Sequence, residues 1–173
     1  MENRPKACRL LVLTGASGAG KTTLARRCAE LHPSGLAVRH FDSIGVPSRQ
    51  RMTEDFGSLE AWQRRKTHDW LAALARLEES RILFEGQSRI AFITEAMAAA
   101  GLSDGRIVLV DCDDATRAHR LKVDRAQPEL VDETILRWAA FLREEARQFG
   151  CALLDTSNLD VDEGVAGIMR HFA

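Results

Sequence analysis

Eight residues near the start of the chain, Gly15-Ala16-Ser17-Gly18-Ala19-Gly20-Lys21-Thr22, constrain its fold more than any other stretch. Two glycines bracket four free positions and are followed by Lys-Thr, the spacing of a loop that cradles phosphate groups. Such a loop works only between a strand and a helix. Glycines let successive amides turn inward around an anion, and the helix start adds unpaired N–H groups and its positive dipole end. Both flanks are present. Leu10, Leu11, Val12 and Leu13 form a compact apolar run that reads as a buried parallel strand, and Leu24, Cys28 and Leu31 repeat at i, i+4 and i+7 as the stripe of an amphipathic helix. In this pattern Lys21 reaches the β- and γ-phosphates, the Thr22 hydroxyl holds Mg²⁺, and Thr23 follows in the first helical turn.

Apolar runs recur at 10–13, 36–41, 81–84, 106–110 and 151–154, with helical patterns between them. That alternation predicts an α/β fold with five parallel strands covered on both faces. Pro33, Ser34 and Gly35 close the first helix, and a polar stretch from Arg49 to Gly57 is expected to be mobile. Ser58 offers a cap for a helix running to about Glu79, with Trp70, Ala73, Leu74 and Leu77 as its apolar stripe. Gly101 stops a helix begun at Ile90. Pro128 breaks the segment from Val123 to Leu130, the best candidate for a short mobile cover. A long helix then presents Ile135, Trp138, Leu142, Ala146 and Phe149 on one face and Arg143, Glu144 and Arg147 outside, and a last helix starts near Val161. With 173 residues, a single domain over 1–173 is expected, with an acceptor-side segment at about 46–79 and a lid at about 123–131.

Ligands of open α/β sheets bind beyond the carboxyl ends of strands, so the acids found there are site candidates. Asp42 ends the second strand and Glu85 the third, where Gly86 allows close approach of a ligand. Arg64, Arg65 and Lys66 read as a solvated helix face; the competing reading has Arg64 or Arg65, with Arg49 and Arg51, reaching over the crevice to an anionic acceptor. Asp111 also follows a strand, but its neighbours Asp113 and Asp114 point to helix-start acids that satisfy free N–H groups. His40, His68, His119 and Cys112 lack metal-ligand spacing.

In the loop 15–22, in Asp42-Ser43-Ile44, in Glu85-Gly86-Gln87-Ser88-Arg89, in Arg120 and Arg125, and in Asp155-Thr156-Ser157, the chain resembles the P-loop kinases of the adenylate, shikimate and gluconate kinase group. In pattern it is most similar to the chloramphenicol phosphotransferase-like small-molecule kinases. The resemblance implies a three-layer α/β/α P-loop NTPase fold with strand order 2-3-1-4-5, and an ATP- and Mg²⁺-dependent kinase acting on a hydroxyl of a small molecule. It implies nucleotide contacts from Gly15, Ala16, Ser17, Gly18, Ala19, Gly20, Lys21, Thr22, Thr23, Arg120, Arg125, Thr156 and Ser157. Lys21, Asp42 and Arg120 would be catalytic, with Asp42 taking the acceptor proton. Asp42, Glu85, Gln87 and Arg89 would bind the acceptor, and Thr22 and Glu85 would order the metal. Two departures stand out: the lid arginines of such kinases commonly stand four apart whereas Arg120 and Arg125 stand five apart, and the Asp-Gly-x-Pro-Arg run of adenylate kinases is absent.

Charge bounds the partners. Lys+Arg 24 against Asp+Glu 25 leaves a net charge of −1, so no overall field favours nucleic acid or an anionic membrane. That argues against a nucleic-acid end kinase. The four cysteines, Cys8, Cys28, Cys112 and Cys151, are dispersed without a C-x-x-C pair, which fits a reducing, cytoplasmic setting. Glu2 precedes an apolar run too short for an export signal or a membrane span. A regulatory nucleotide hydrolase or switch is the reading from a different class, since Asp42-x-x-Gly45 mimics a switch motif; no guanine-reading Asn/Thr-Lys-x-Asp run follows it. A nucleoside or nucleotide kinase is a third. Sequence leaves the acceptor and the oligomeric state open.

Overall fold

A computed structural model of the chain describes residues 8–173; the expectation drawn from Glu2 lies outside them. Five parallel strands form one sheet: β1 (Leu10–Thr14), β2 (Ala37–His40), β3 (Ile82–Glu85), β4 (Arg106–Asp111) and β5 (Ala152–Asp155). Their order, β2-β3-β1-β4-β5, is the expected one. Every residue of the central β1 is buried, because helices cover both faces of a parallel sheet and no side of the strand meets water.

Alternation along β1 divides the core. Leu11 and Leu13 face α1 (Lys21–Leu31) and α7 (Val161–Met169), packing with Leu24, Cys28, Val165 and Ile168. Leu10 and Val12 face the opposite layer of α3 (Leu59–Leu74) and α4 (Ile90–Ala99), packing with Leu71, Leu74, Ile93 and Met97. A third cluster, Ile90, Leu109, Leu142 and Ala146, seats α6 (Glu133–Gln148). Among the described residues no helix is long and apolar enough to cross a membrane.

Several local expectations need correction. The stretch 49–57 is not a loose segment: it folds as α2 (Arg49–Phe56), because the Ser48 side chain accepts from Arg51 N–H at 3.2 Å and Gly57 ends the helix at φ 85°. α3 stops at Leu74 rather than at 79, and its buried residues are Trp62, Thr67, Leu71 and Leu74, so the stripe is turned and Ala73 is exposed. Phe149 lies just past α6 and is 45% exposed, since the helix has ended before its side chain could reach the core.

Asp111 is not a helix-start acid. That task falls to Asp113, whose carboxylate accepts from Thr116 N–H at 2.7 Å at the start of α5 (Asp114–His119) and is held below the usual carboxylate range by those N–H groups. Asp111 is buried between two arginines, Arg117 of α5 and Arg143 of α6, so Arg143 turns inward and not outside. Arg117, 1% exposed, also donates to the Ser17 carbonyl at 2.8 Å and to that of Cys112 at 3.2 Å. Breaking a buried ion pair from one side leaves an uncompensated charge. Asp111→Asn should therefore lower unfolding free energy by about 3–5 kcal/mol in urea titration. Arg143→Met, which removes the half-exposed partner and leaves Arg117 paired, should lower it by about 1 kcal/mol.

Candidate nucleotide and acceptor site

Register brings the carboxyl ends of the strands to one edge: Glu85 pairs with Leu13 on one side and His40 on the other, and Asp111 with Asp155. The winding of the sheet reverses beside β1, so a crevice opens above this edge. Gly15 leaves β1 at φ 153°, and a Cβ there would lie 2.1 Å from the Val110 carbonyl oxygen. Only a glycine lets the loop fold this tightly against β4. Gly18 and Gly20 also take positive φ, 80° and 94°. Gly20 caps α1 without a side-chain hydrogen bond, and the first turn of α1 contains no acid. The helix start is thus left to receive an anion from outside the chain.

Lys21 lies inside this turn. Its Nζ donates to the carbonyls of Gly15 (2.7 Å) and Ala16 (3.2 Å), and burial, reinforced by Arg125 and Arg117 against the pull of Glu85 and Asp42, pushes its ammonium down to about 8. The Thr22 hydroxyl donates to Glu85 Oε1 at 3.1 Å, and His40 Nδ1 stands 2.7 Å from the same oxygen. Asp42, on the short helical turn Phe41–Ile44 after β2, faces them across the crevice. Its side of the cleft is poorly hydrated, which, with the charge of Glu85, raises its carboxyl above the ordinary value even though much of the residue is exposed.

A cleft of about 280 Å³ gathers most of the predicted residues: Ser17, Gly18, Gly20, Lys21, Thr22, Thr23, Asp42, Glu85, Gln87, Arg120, Arg125 and Thr156. Ala16 and Ala19 are buried in the loop behind it. Arg120 and Arg125 both line this cleft although they stand five apart; between them Arg120–Asp124 is a π-helical turn in which Arg125 N–H bonds the Arg120 carbonyl at 3.0 Å. Arg120 donates to the Thr156 hydroxyl and to its carbonyl, both at 2.8 Å, and Thr156 in turn bonds the Ala19 carbonyl at 2.9 Å. The segment after the π turn consists of Ala126 at φ 51° and the short turn Pro128–Leu130.

Two predicted residues stand elsewhere. Ser157 is outside the cleft because its hydroxyl donates to Asp155 (2.5 Å) and accepts from Asp113 N–H (2.8 Å). Arg89 has its donors taken by Glu60 (2.6 Å) and Glu145 (3.1 Å) and lies between the rings of Phe92 and Phe141. Arg64 and Arg65 do not reach over the crevice; they bond Glu95 and Asp69, as a solvated face does. The sequence reading missed Leu159, Asp160, Val161 and Gly164, which line the far end of the cleft at the start of α7. A helix start near Val161 was expected, and the structure shows an Asp160/Glu163 capping box there, but nothing local tied it to the loop. It also missed the contact of His40 with Glu85. A second hollow, of about 640 Å³, shares Ser17 and Gln87 with the first, and the Ser17 hydroxyl donates to Gln87 Oε1 at 3.1 Å where they meet.

No family model and no curated protein sequence matches the chain. Solved structures do. A shikimate kinase from Acinetobacter baumannii in complex with shikimate superposes at TM-score 0.67 and 19% identity over 94% of this chain and 91% of that one. A gluconokinase from Sinorhizobium meliloti gives TM-score 0.70 at 17% identity, covering 96% and 93%. A sugar kinase from a Janibacter species gives 0.63 at 18%, covering 94% and 92%. The chain has the P-loop kinase fold. Within that fold the loop, α1, the ends of β2 and β3 and the α5 to α6 segment all border the crevice described above.

Burial of Lys21 has a thermodynamic signature in the ligand-free protein. Its ammonium is lowered to about 8 from 10.5, so between these values the unfolded chain binds more protons and stability rises with pH. Comparison of wild type with Lys21→Met by chemical denaturation should show the wild type gaining about 3 kcal/mol relative to the variant from pH 7 to 10.5.

Proposed function

We infer that this chain is an ATP-dependent kinase that transfers the γ-phosphate to a hydroxyl of a small molecule. The observation that carries the reading is one crevice with two unlike walls. A glycine-built, uncapped helix start with a buried lysine forms one, and the carboxylate of Asp42, raised above its ordinary value, forms the other. The loop fits a triphosphate because Gly15 holds the backbone where a side chain would collide with β4 and because, among the described residues, Lys21 Nζ hydrogen-bonds to loop carbonyls alone.

In this reading the amides of residues 15–22 and Lys21 hold the β- and γ-phosphates, and Thr23 and the residues opening α7 line the way to the base. Thr22 with Glu85 suits Mg²⁺, which takes few protein oxygens and keeps its remaining positions for water and phosphate. Among the described residues no cluster of three His, Cys, Asp or Glu forms a closed metal cage, which this open arrangement does not require. When bound, the ion would neutralise phosphate charge. Arg120 and Arg125, which both line the cleft, would add positive charge over it. The acceptor oxygen attacks the γ-phosphorus, the bond to ADP breaks, and the hydroxyl proton passes to Asp42. Gln87 borders the acceptor path. Arg89 shapes it through its ion pairs, and Ser157 contributes through the turn before α7. We place this activity in a single cytoplasmic domain, with 46–79 and 123–131 flanking the acceptor.

Transfer of label from γ-labelled ATP to hydroxyl-bearing metabolites, nucleosides and antibiotics, read by mass spectrometry of products, tests the reading. Acceptor-independent hydrolysis that needs a partner protein would instead indicate a regulatory hydrolase. Lys21→Met should lower transfer by at least about a thousandfold. Asp42→Asn should lower kcat by about 10²–10⁴-fold while nucleotide affinity stays within about twofold. The raised Asp42 carboxyl also predicts a rate that climbs with pH through a limb above the ordinary carboxylate range, and that limb should vanish in Asp42→Asn.

A further inference from the structure

The carbonyls of the phosphate loop are held by side chains that stand far from it in sequence. A planar trans peptide points its C=O and the N–H of the next residue in opposite directions, so whatever fixes a carbonyl also aims an amide. Gly15 and Ala16 turn their carbonyls to Lys21 Nζ. The next three are taken by other elements. The Ser17 carbonyl accepts from Arg117 of α5 at 2.8 Å, and that of Gly18 is met by Cys112 Sγ at 3.6 Å and by Arg120 at 3.4 Å. The Ala19 carbonyl accepts from the Thr156 hydroxyl, just past β5, at 2.9 Å. Of the N–H groups that follow, that of Ala19 turns back to the Ala16 carbonyl at 3.3 Å, while those of Gly18 and Gly20 donate to none of the described residues. Both glycines line the cleft, and amides gathered in this way make a nest for an anion.

The two strongest of these holds come from buried groups. Arg117 is absent from the cleft lining, and a Cβ on Gly18 would lie 3.0 Å from its Cγ, so it backs the loop. Its Nε finds no partner among the described residues. A buried donor left unpaired is a cost that a side chain kept for stability alone would avoid. Thr156 is 4% exposed, and its hydroxyl lies between two carbonyls, that of Ala19 and, at 3.0 Å, that of Asp111. The Thr156 N–H already donates to Asp111 at 2.8 Å, which leaves the hydroxyl proton for Ala19. The same oxygen accepts from Arg120, so the hydroxyl is oriented from both sides.

We propose that Arg117 and Thr156 are positioning residues for the phosphate chain: by fixing the Ser17 and Ala19 carbonyls they aim the Gly18 and Gly20 amides at the anion. Thr156 thus acts through the loop and not on the nucleoside. This rests on the reading of the loop as a triphosphate site, but not on where the γ-phosphate is passed.

Two probes separate the phosphate chain from the nucleoside: tripolyphosphate and adenosine, each titrated into the full chain and followed by amide NMR. Thr156→Val, which exchanges the hydroxyl for a methyl of similar size, should weaken tripolyphosphate by about tenfold while adenosine stays within about twofold. It should also move the Gly20 amide resonance in the free protein, and Thr156→Ser, which keeps the hydroxyl, should restore both. Arg117→Lys keeps a charge beside Asp111 but loses the fork that also reaches Ser17, so it should weaken tripolyphosphate by about tenfold and move the Gly18 amide. Equal loss of adenosine and tripolyphosphate in Thr156→Val would overturn the proposal in favour of a direct nucleotide contact. Tripolyphosphate affinity within about twofold of wild type in both variants would overturn it as well. Absence of tripolyphosphate binding by the wild type would overturn both the proposal and the triphosphate site. Tripolyphosphate bound and weakened as described, with no label passed from ATP to any acceptor, would support the positioning roles and count against the kinase reading alone.

Discussion

The whole arrangement depends on a close approach between two backbones. β1 is apolar at every internal position, so it takes the centre of the sheet, and Gly15 then turns so tightly against the Val110 carbonyl of β4 that no side chain fits. This contact fixes where the loop begins. It directs the loop amides and the start of α1 toward the sheet edge where β2 and β3 present Asp42 and Glu85. A substituted loop would have to rise from β4, and the positive end of α1 would move with it.

The loop is supported from behind by charge as well as by sterics. Arg117 ties the Ser17 carbonyl to Asp111, and Arg143 ties Asp111 to α6. The helix bearing Trp138 and Phe141 is thereby joined to the loop through a buried ion network. Glu145 of the same helix accepts from Ile90 N–H at 2.8 Å and pairs with Arg89. Residues that look like a loose set of surface arginines thus form the frame between the two hollows. Buried charges are costly unless fully paired, and here each has at least one partner close by. Lys21 differs: among the described residues its hydrogen-bond partners are the carbonyls of Gly15 and Ala16, which leaves it poised for an anion.

Much of the plan was legible in order. The five apolar runs became five strands, with β1 and β3 buried throughout and the edge strands β2 and β5 partly open, and the loop motif located the crevice because its spacing has few other uses. Legibility failed where a residue's partner was distant in sequence. Arg89 reads as a substrate ligand until Glu60 and Glu145, 29 and 56 positions away, are seen to occupy it. The five-residue gap between Arg120 and Arg125 reads as a departure, yet both line one cleft across a π turn that no local pattern announces. Arg49 to Phe56 reads as mobile because its caps, Ser48 and Gly57, are single residues in a polar stretch.

By itself the sequence determined the strand and helix order, the phosphate-cradling turn and the acids at the strand ends, since these follow from local periodicity and from the conformational freedom of glycine. Tertiary structure alone decided which charged side chains are free and which are consumed, and which apolar residues are left uncovered around the second hollow. The reason is that pairing and exposure depend on distances across the sheet and between helices. Those distances come from packing, and no local pattern in the chain encodes them.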